Sequence, residues 1–389
     1  MFDAMAVSVS AQRSRRDARV DVLRGMALLM IFIDHVPGNL LSLVTLRNFG
    51  FADAAELFVL LAGFASMAAY GGSFSRDGIM PGLRRVLLRC LHLYLFQALL
   101  LVTVLVLAGS WMHNFGTVPD SDAQFADAGL NGLRHGLTLQ AQPASLNILP
   151  LYIVLLALFP LIYGLMMISP LAAFLSSGGL WIGVNLDPSI NLPNWLDGQR
   201  WFFDPFAWQF LFVIGALGAL ILRRYGGNLP TTPWLRAAAW AYLGFALIVM
   251  APWDVWGWSN VRLLPLELPD KTTLAPLRLL NVMALAFLVF SSDWLRRLAE
   301  RPVLGFLAVC GRHSLEVFSL GTILAMLFRL IFRTFGVTLM TQVAANGVGL
   351  GLMIALAMAL EHARHKTTAP KVARSRTAAG KSVAQAPTV

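Results

Sequence analysis

The chain is a series of apolar runs, each near twenty residues long, separated by short connections that carry most of its charge. A helix of about 20 apolar residues crosses the hydrocarbon of a bilayer. The runs lie at roughly 22–44, 54–72, 86–108, 147–168, 170–186, 206–222, 234–251, 274–291, 313–333 and 341–361 on this length criterion. Only 13% of the 389 residues are charged and 57% are hydrophobic. A soluble domain carries about 25% charged residues, so this chain lacks the polar surface to cover a water-exposed fold. The expectation is an all-α, polytopic integral membrane protein with about ten transmembrane helices in a single membrane domain. Gly178-Gly179 weakens the fifth run, and Arg312, His313 and Glu316 crowd the entry of the ninth.

Charge orients the runs. Arg13, Arg15, Arg16 and Arg19 precede the first. Because Arg24 interrupts that run, and no small-residue cleavage site follows, it reads as an uncleaved span rather than a signal peptide. Further basic clusters are Arg76, Arg84, Arg85 and Arg89; Arg223, Arg224 and Arg236; and Arg296, Arg297 and Arg301. They alternate with the acidic connections 109–146, 187–205 and 252–273. Positive charge stays cytoplasmic, so both termini are expected there, in a bacterial inner membrane. Arg329 and Arg333 break the pattern by falling near the outer face. Trp195, Trp201, Trp208, Trp253, Trp256 and Trp258 flank outer span ends, as an interfacial belt does. Residues 1–18 read as a basic cytoplasmic segment, 19–361 as the membrane domain and 362–389 as a disordered basic tail. The net charge of +10 is thus accounted for by topology, and no nucleic acid is expected as a partner. Cys90 and Cys310 sit in or beside spans and form no disulfide or metal pattern.

Ionisable residues within spans are costly and are functional candidates by default. At about 100° per residue, His35 falls about 20° from Arg24 around the first helix, and Asp21 about 60° from it. These three residues share a face with Leu28 and Ile31, while Asp34 lies about 100° from His35. The rise from Arg24 to His35 is about 16 Å, which draws a polar line along the membrane normal. An ordinary i, i+3 pair of Asp21 with a snorkelling Arg24 is the competing reading. Asp53 and Glu56 open the second span on one face; Asp53 also suits the positive end of a helix dipole. Lys271 and Arg278, seven apart, share a face of the eighth span and either snorkel to headgroups or bind anions. Arg312 and Glu316 are spaced to pair at i, i+4. Asn147 and Asn281 suit interhelical hydrogen bonds. No P-loop, Gly-x-Ser-x-Gly elbow, His-Glu-x-x-His or Cys-x-x-Cys motif is present. What remains is a histidine with nearby acids and several cations, suited to proton transfer from a hydroxyl beside an anionic substrate.

The same residues resemble a known family. Arg19-Val20-Asp21-Val22-Leu23-Arg24-Gly25, Ile31-Phe32-Ile33-Asp34-His35-Val36-Pro37-Gly38-Asn39, Thr45-Leu46-Arg47-Asn48-Phe49-Gly50-Phe51 and Asp53-Ala54-Ala55-Glu56-Leu57-Phe58-Val59 look like the opening of the OpgC family. Those are membrane succinyltransferases of osmoregulated periplasmic glucans. Lys271-Thr272-Thr273-Leu274-Ala275-Pro276-Leu277-Arg278 and Gly311-Arg312-His313-Ser314-Leu315 continue the match in order. The wider acyltransferase-3 type enzymes share the spacing of an arginine, ten residues and a histidine. The resemblance implies transfer of an acyl group from cytoplasmic acyl-CoA, as donor substrate rather than bound cofactor, to a hydroxyl of a periplasmic glycan. On that basis His35 is the catalytic base, oriented by Asp34 or Glu56. Arg24 and the cytoplasmic arginines would hold acyl-CoA phosphates. Arg47, Lys271 or Arg278 would meet a succinyl carboxylate or the oxyanion. Asp53, Arg312 and His313 complete the substrate-binding candidates. A transporter of an anion or lipid-linked sugar would use the same ionisable residues as a pathway.

Overall fold

The computed structural model describes residues 17–143, 146–258 and 268–383. The N-terminal arginines Arg13, Arg15 and Arg16 and the end of the tail lie outside them. Among the described residues the chain is all-α, and the one β-bridge pairs Pro193 with Arg200. The helices are α1 (Ala18–His35), α2 (Ala54–Ser66), α3 (Gly72–Arg76), α4 (Ile79–Phe115), α5 (Asp120–Leu137), α6 (Ile148–Ile168) and α7 (Pro170–Leu186). They continue with α8 (Pro205–Arg224), α9 (Pro233–Met250), α10 (Pro276–Phe290), α11 (Asp293–Ala299), α12 (Gly305–Arg312), α13 (Ser314–Phe335) and α14 (Leu339–Val383). A π-helical turn, Met67–Gly71, joins α2 to α3.

Among the described residues, seven helical segments are long and apolar enough to cross a membrane, or eight if α10 and α11, bent by 81°, count as one. The difference from ten has local causes. α1 carries Arg19, Asp21, Arg24 and Asp34, and α7 has only 17 residues. α1 also starts earlier and stops sooner than the apolar run. Asp17 caps its first turn, its carboxylate accepting from Arg19 N. Pro37 and Gly38, the latter at φ +62°, turn the chain away after His35. Residues 36–53, in part expected to be helical, instead form two short 3₁₀ turns and an irregular link. The expected outer connection 109–146 holds α5, and the ninth run breaks at His313 between α12 and α13. The tail expected to be disordered continues α14 as far as Val383, in a stretch rich in Ala, Lys and Arg, which are strong helix formers.

Chain direction puts the acidic connections after α4, α7 and α9 at the end of the bundle where His35 lies. Arg223, Arg224, Arg236, Arg296 and Arg297 sit at the opposite end, with Arg24. There Arg19, 2% exposed, ties α1 to the links around it. Its guanidinium donates to Asp17 and to the carbonyls of Gly227, Val289 and Phe290, and lies over the Phe290 ring.

Two helix crossings bring backbones into contact. A Cβ on Gly63 of α2 would sit 1.9 Å from the Phe212 carbonyl oxygen of α8. One on Gly215 of α8 would sit 2.0 Å from the Leu60 carbonyl oxygen. The crossing of α1 and α12 is reciprocal in the same way. Gly25 faces the Leu307 carbonyl and Gly311 the Asp21 carbonyl, at 2.0 Å and 1.9 Å from the hypothetical Cβ atoms. Small residues permit such approach in membrane bundles, where close packing replaces the hydrophobic drive of water. Gly63→Val and Gly215→Val are therefore each expected to destabilise by at least the about 1–3 kcal/mol of core overpacking. The check is the midpoint of thermal unfolding in detergent. Gly179→Val, on a glycine with no neighbour within 4 Å of its hypothetical Cβ, is the control expected to shift it little.

Candidate functional site

The sequence-derived candidates separate between the two ends of the bundle. At one end, the turn that stops α1 leaves the His35 ring exposed at its last residue. His35 Nδ1 lies 2.7 Å from the Ile31 carbonyl oxygen of its own helix. A carbonyl can only accept, so Nδ1 carries the proton. In the neutral ring Nε2 is then a lone pair. Nε2 has no hydrogen-bond partner among the described residues. The expected orienting partners, Asp34 and Glu56, are both otherwise engaged. Asp34 accepts a 2.7 Å hydrogen bond from Thr45 Oγ1. Glu56 turns inward.

The first turn of α2 explains Glu56. Asp53 is its N-cap, accepting from Ala55 N at 2.8 Å, while Glu56 Oε2 accepts from Asp53 N at 2.9 Å, forming a capping box. The remaining oxygen of Glu56, a residue 0% exposed, accepts from Arg278 Nε at 2.7 Å. Arg278 Nη2 also approaches Asp53 Oδ2 at 3.5 Å, and Lys271 Nζ forms a short ion pair with the same oxygen. Asp53 thus both caps α2 and pairs with Lys271. Lys271 is presented by a turn that Asp270 organises. The Asp270 carboxylate accepts from the backbone N of Thr272 and Thr273 and from Thr273 Oγ1. Burial alone would raise the Asp270 carboxyl, but these hydrogen bonds outweigh it and hold it below its ordinary value. The Lys271 ammonium also lies over the rings of Phe202 and Phe203, at 5.9 and 5.6 Å.

Lys271, Asp53 and Arg329 of α13 are within electrostatic reach of His35. Arg329 was not among the site candidates. Its one signal in the sequence was that it violates the charge alternation. It approaches Asp122 of α5 at 3.5 Å, yet its Nε and Nη2 and both Asp122 oxygens make no hydrogen bond among the described residues. Arg47, exposed on the 3₁₀ turn Leu46–Asn48, acts electrostatically on Asp34 and makes no ion pair among the described residues. Of the three cations offered for an acyl carboxylate, Lys271 and Arg278 already hold carboxylates, and Arg47 does not.

At the other end, Arg24 donates from Nη2 to the Leu61 carbonyl of α2 at 3.0 Å. It and Arg89 act electrostatically on Tyr70. Arg312 does not pair with Glu316. Arg312 Nη2 and His313 Nε2 instead grip the two oxygens of Glu361 in α14, each at 2.9 Å. Arg312 and His313 thus lie with Arg24, far from His35. Between the ends the polar stripe of α1 is interrupted, because Leu28 is packed to 1% exposure. Asn281 Oδ1 accepts from Ala52 N in the link to α2, a helix-to-link bond and not the expected interhelical one. No group of three or more His, Cys, Asp or Glu side chains that would hold a metal occurs among the described residues.

The family model described as OpgC protein matches residues 16–365, nearly the whole chain. No curated protein and no solved structure matches the chain.

Proposed function

Because this chain belongs to the OpgC family, we propose that it is a membrane O-acyltransferase that moves a short acyl group, succinyl by family resemblance, from cytoplasmic acyl-CoA to a hydroxyl of a periplasmic glucan. The observation that carries this reading is the contact of His35 Nδ1 with the Ile31 carbonyl oxygen at 2.7 Å, which puts the proton of the neutral ring on Nδ1 and leaves Nε2, with no hydrogen-bond partner among the described residues, to accept. In the proposed step, an acceptor hydroxyl gives its proton to Nε2 as its oxygen attacks the thioester carbon. The tetrahedral oxyanion collapses, the C–S bond breaks, and CoA leaves as a thiol after taking up a proton. Lys271 and Arg329 bear on the developing oxyanion from fixed positions, the preorganised electrostatic arrangement that lowers such barriers. Arg47, which makes no ion pair among the described residues, would take the carboxylate of a dicarboxylic acyl group. Arg24, with Arg89 nearby, supplies positive charge at the end assigned to the cytoplasm, where CoA phosphates bind.

The test is direct. Purified protein in lipid nanodiscs is given succinyl-CoA and a glucan, and CoA release is followed together with the mass of the glucan. The expected result is one CoA released per succinyl mass increment. Transport of either substrate without CoA release would favour the transporter reading and overturn this one.

A further inference from the structure

At the His35 end of the bundle, the loop between α7 and α8 and the link between α5 and α6 border an open-sided cavity of about 490 Å³. That lies within the range of about 300–1,000 Å³ typical of pre-formed ligand sites. Its polar lining is dominated by neutral amides: Gln124, Gln142, Asn147, Asn194 and Gln199. Trp201 and Phe202 add aromatic surface. The charges on its wall, Asp197 and Arg200, balance.

The cavity is built before any ligand arrives. Asn194 N donates to the Gln199 carbonyl at 2.8 Å and Trp201 N to the Leu192 carbonyl at 2.8 Å, which close the loop into a small hairpin. The hairpin docks through Gln142 N, which donates to Asn194 Oδ1 at 3.0 Å, and through Trp195 N, which donates to the Gln140 carbonyl at 2.7 Å. Trp195 also stacks on His135, with ring centroids 4.0 Å apart. Within this frame Gln142 is only 5% exposed, yet neither its Oε1 nor its Nε2 has a partner among the described residues. Both atoms are closed even to a water molecule, so a ligand in the cavity meets other groups of the wall.

We propose that this cavity binds one or two sugar units of a neutral glycan, with the accessible amides of Gln124 and Gln199 among its contacts. This rests on the acyltransferase reading and adds where the acceptor is held. The chemistry is that of vicinal hydroxyls. Each hydroxyl both donates and accepts, and a carboxamide offers both in turn. The aromatic rings suit the apolar faces of a pyranose. An anionic ligand would instead require clustered cations, which this wall does not have. Asn147, at the start of α6, lines the cavity and makes no interhelical hydrogen bond among the described residues, so it too is available to the ligand. Thr272 stands on the rim, next in sequence to Lys271, whose charge reaches His35. A glycan held here is therefore anchored on the side of the bundle where His35 would take a hydroxyl proton.

The experiment uses the full-length protein in nanodiscs. Tryptophan fluorescence, to which Trp201 and Trp195 contribute, is titrated with sophorose, laminaribiose and cellobiose, with succinate as an ionic control. Saturable binding of at least one disaccharide and none of succinate is expected. Asn147→Ala and Gln199→Ala are each expected to weaken disaccharide binding by about tenfold. Gln199 is exposed at the hairpin tip, so its replacement tests the site without disturbing the bundle. Absence of saturable disaccharide binding to the wild-type protein, or wild-type affinity in both variants, overturns the proposal. His35→Ala separates the two readings: it is expected to bind sugar normally while losing transfer. If it kept transfer, the catalytic reading would fall and the sugar site would stand.

Discussion

His35→Ala is expected to lower acyl transfer by about 10²–10⁴-fold, the contribution of a positioned general base, while leaving insertion and thermal stability nearly unchanged. Stability should be spared because the side chain is exposed and makes its one hydrogen bond back to its own helix, at the last residue of α1. His35→Asn refines the test. An asparagine amide can still donate to the Ile31 carbonyl but offers no basic nitrogen at the position of Nε2, so it should be as inactive as alanine. Because the side chain is exposed at the last residue of α1, imidazole added to His35→Ala should restore part of the activity by supplying the missing base. Transfer at near wild-type rate by either variant would remove His35 from the mechanism. So would a rate loss matched by a loss of folded protein, since the side chain would then be structural. The measurements are CoA release, the mass of the product glycan and the melting midpoint.

The placement of His35 was legible in the sequence because it depends on local rules. Helical periodicity put Arg24 and His35 on one face, but it did not show the helix end: the apolar run continues to residue 44, whereas the helix stops at His35, before Pro37-Gly38. Their distribution over two ends of the bundle follows from rise per residue alone. What periodicity could not show is what fills the space between them. Leu28 lies on the same stripe and is buried by neighbouring helices, so the polar line is broken by packing. Pairings over long separations were equally hidden. Arg312 had Glu316 at helical spacing, yet it binds Glu361 because α14 returns along α12. The close crossings at Gly63 and Gly215 depend on which helices are neighbours, and spans of similar hydropathy carry no label for that. Arg329 was visible as a violation of charge alternation. The sequence alone offered no reason for the violation until α13 was seen to place it within reach of His35.

The Glu56–Arg278 pair joins residues 222 apart and carries the second large expectation. Glu56 is fully buried and the Arg278 side chain is 11% exposed, so the Glu56 charge depends on Arg278, which also has Asp53 at 3.5 Å. Removing one partner of such a pair costs about 3–5 kcal/mol, because the survivor is left as an uncompensated buried charge. Glu56→Leu and Arg278→Met are each expected to destabilise by that order. The double variant should be much less destabilised than the sum, since apolar replacements of similar volume remove both desolvation penalties. Recovery should remain incomplete for a specific reason. Glu56 Oε2 also accepts from Asp53 N, and losing a helix cap costs about 0.5–2 kcal/mol by itself. Unfolding midpoints for the four proteins give the coupling energy, and additive losses would show that the pair is not the stabilising unit described here. Activity should follow a different pattern. Arg278 also faces Asp53, the carboxylate that holds Lys271. Without it, Asp53 and Lys271 are free to shift relative to His35. The double variant is therefore expected to regain stability without regaining transfer, and full activity in a stable double variant would confine the pair to a structural role.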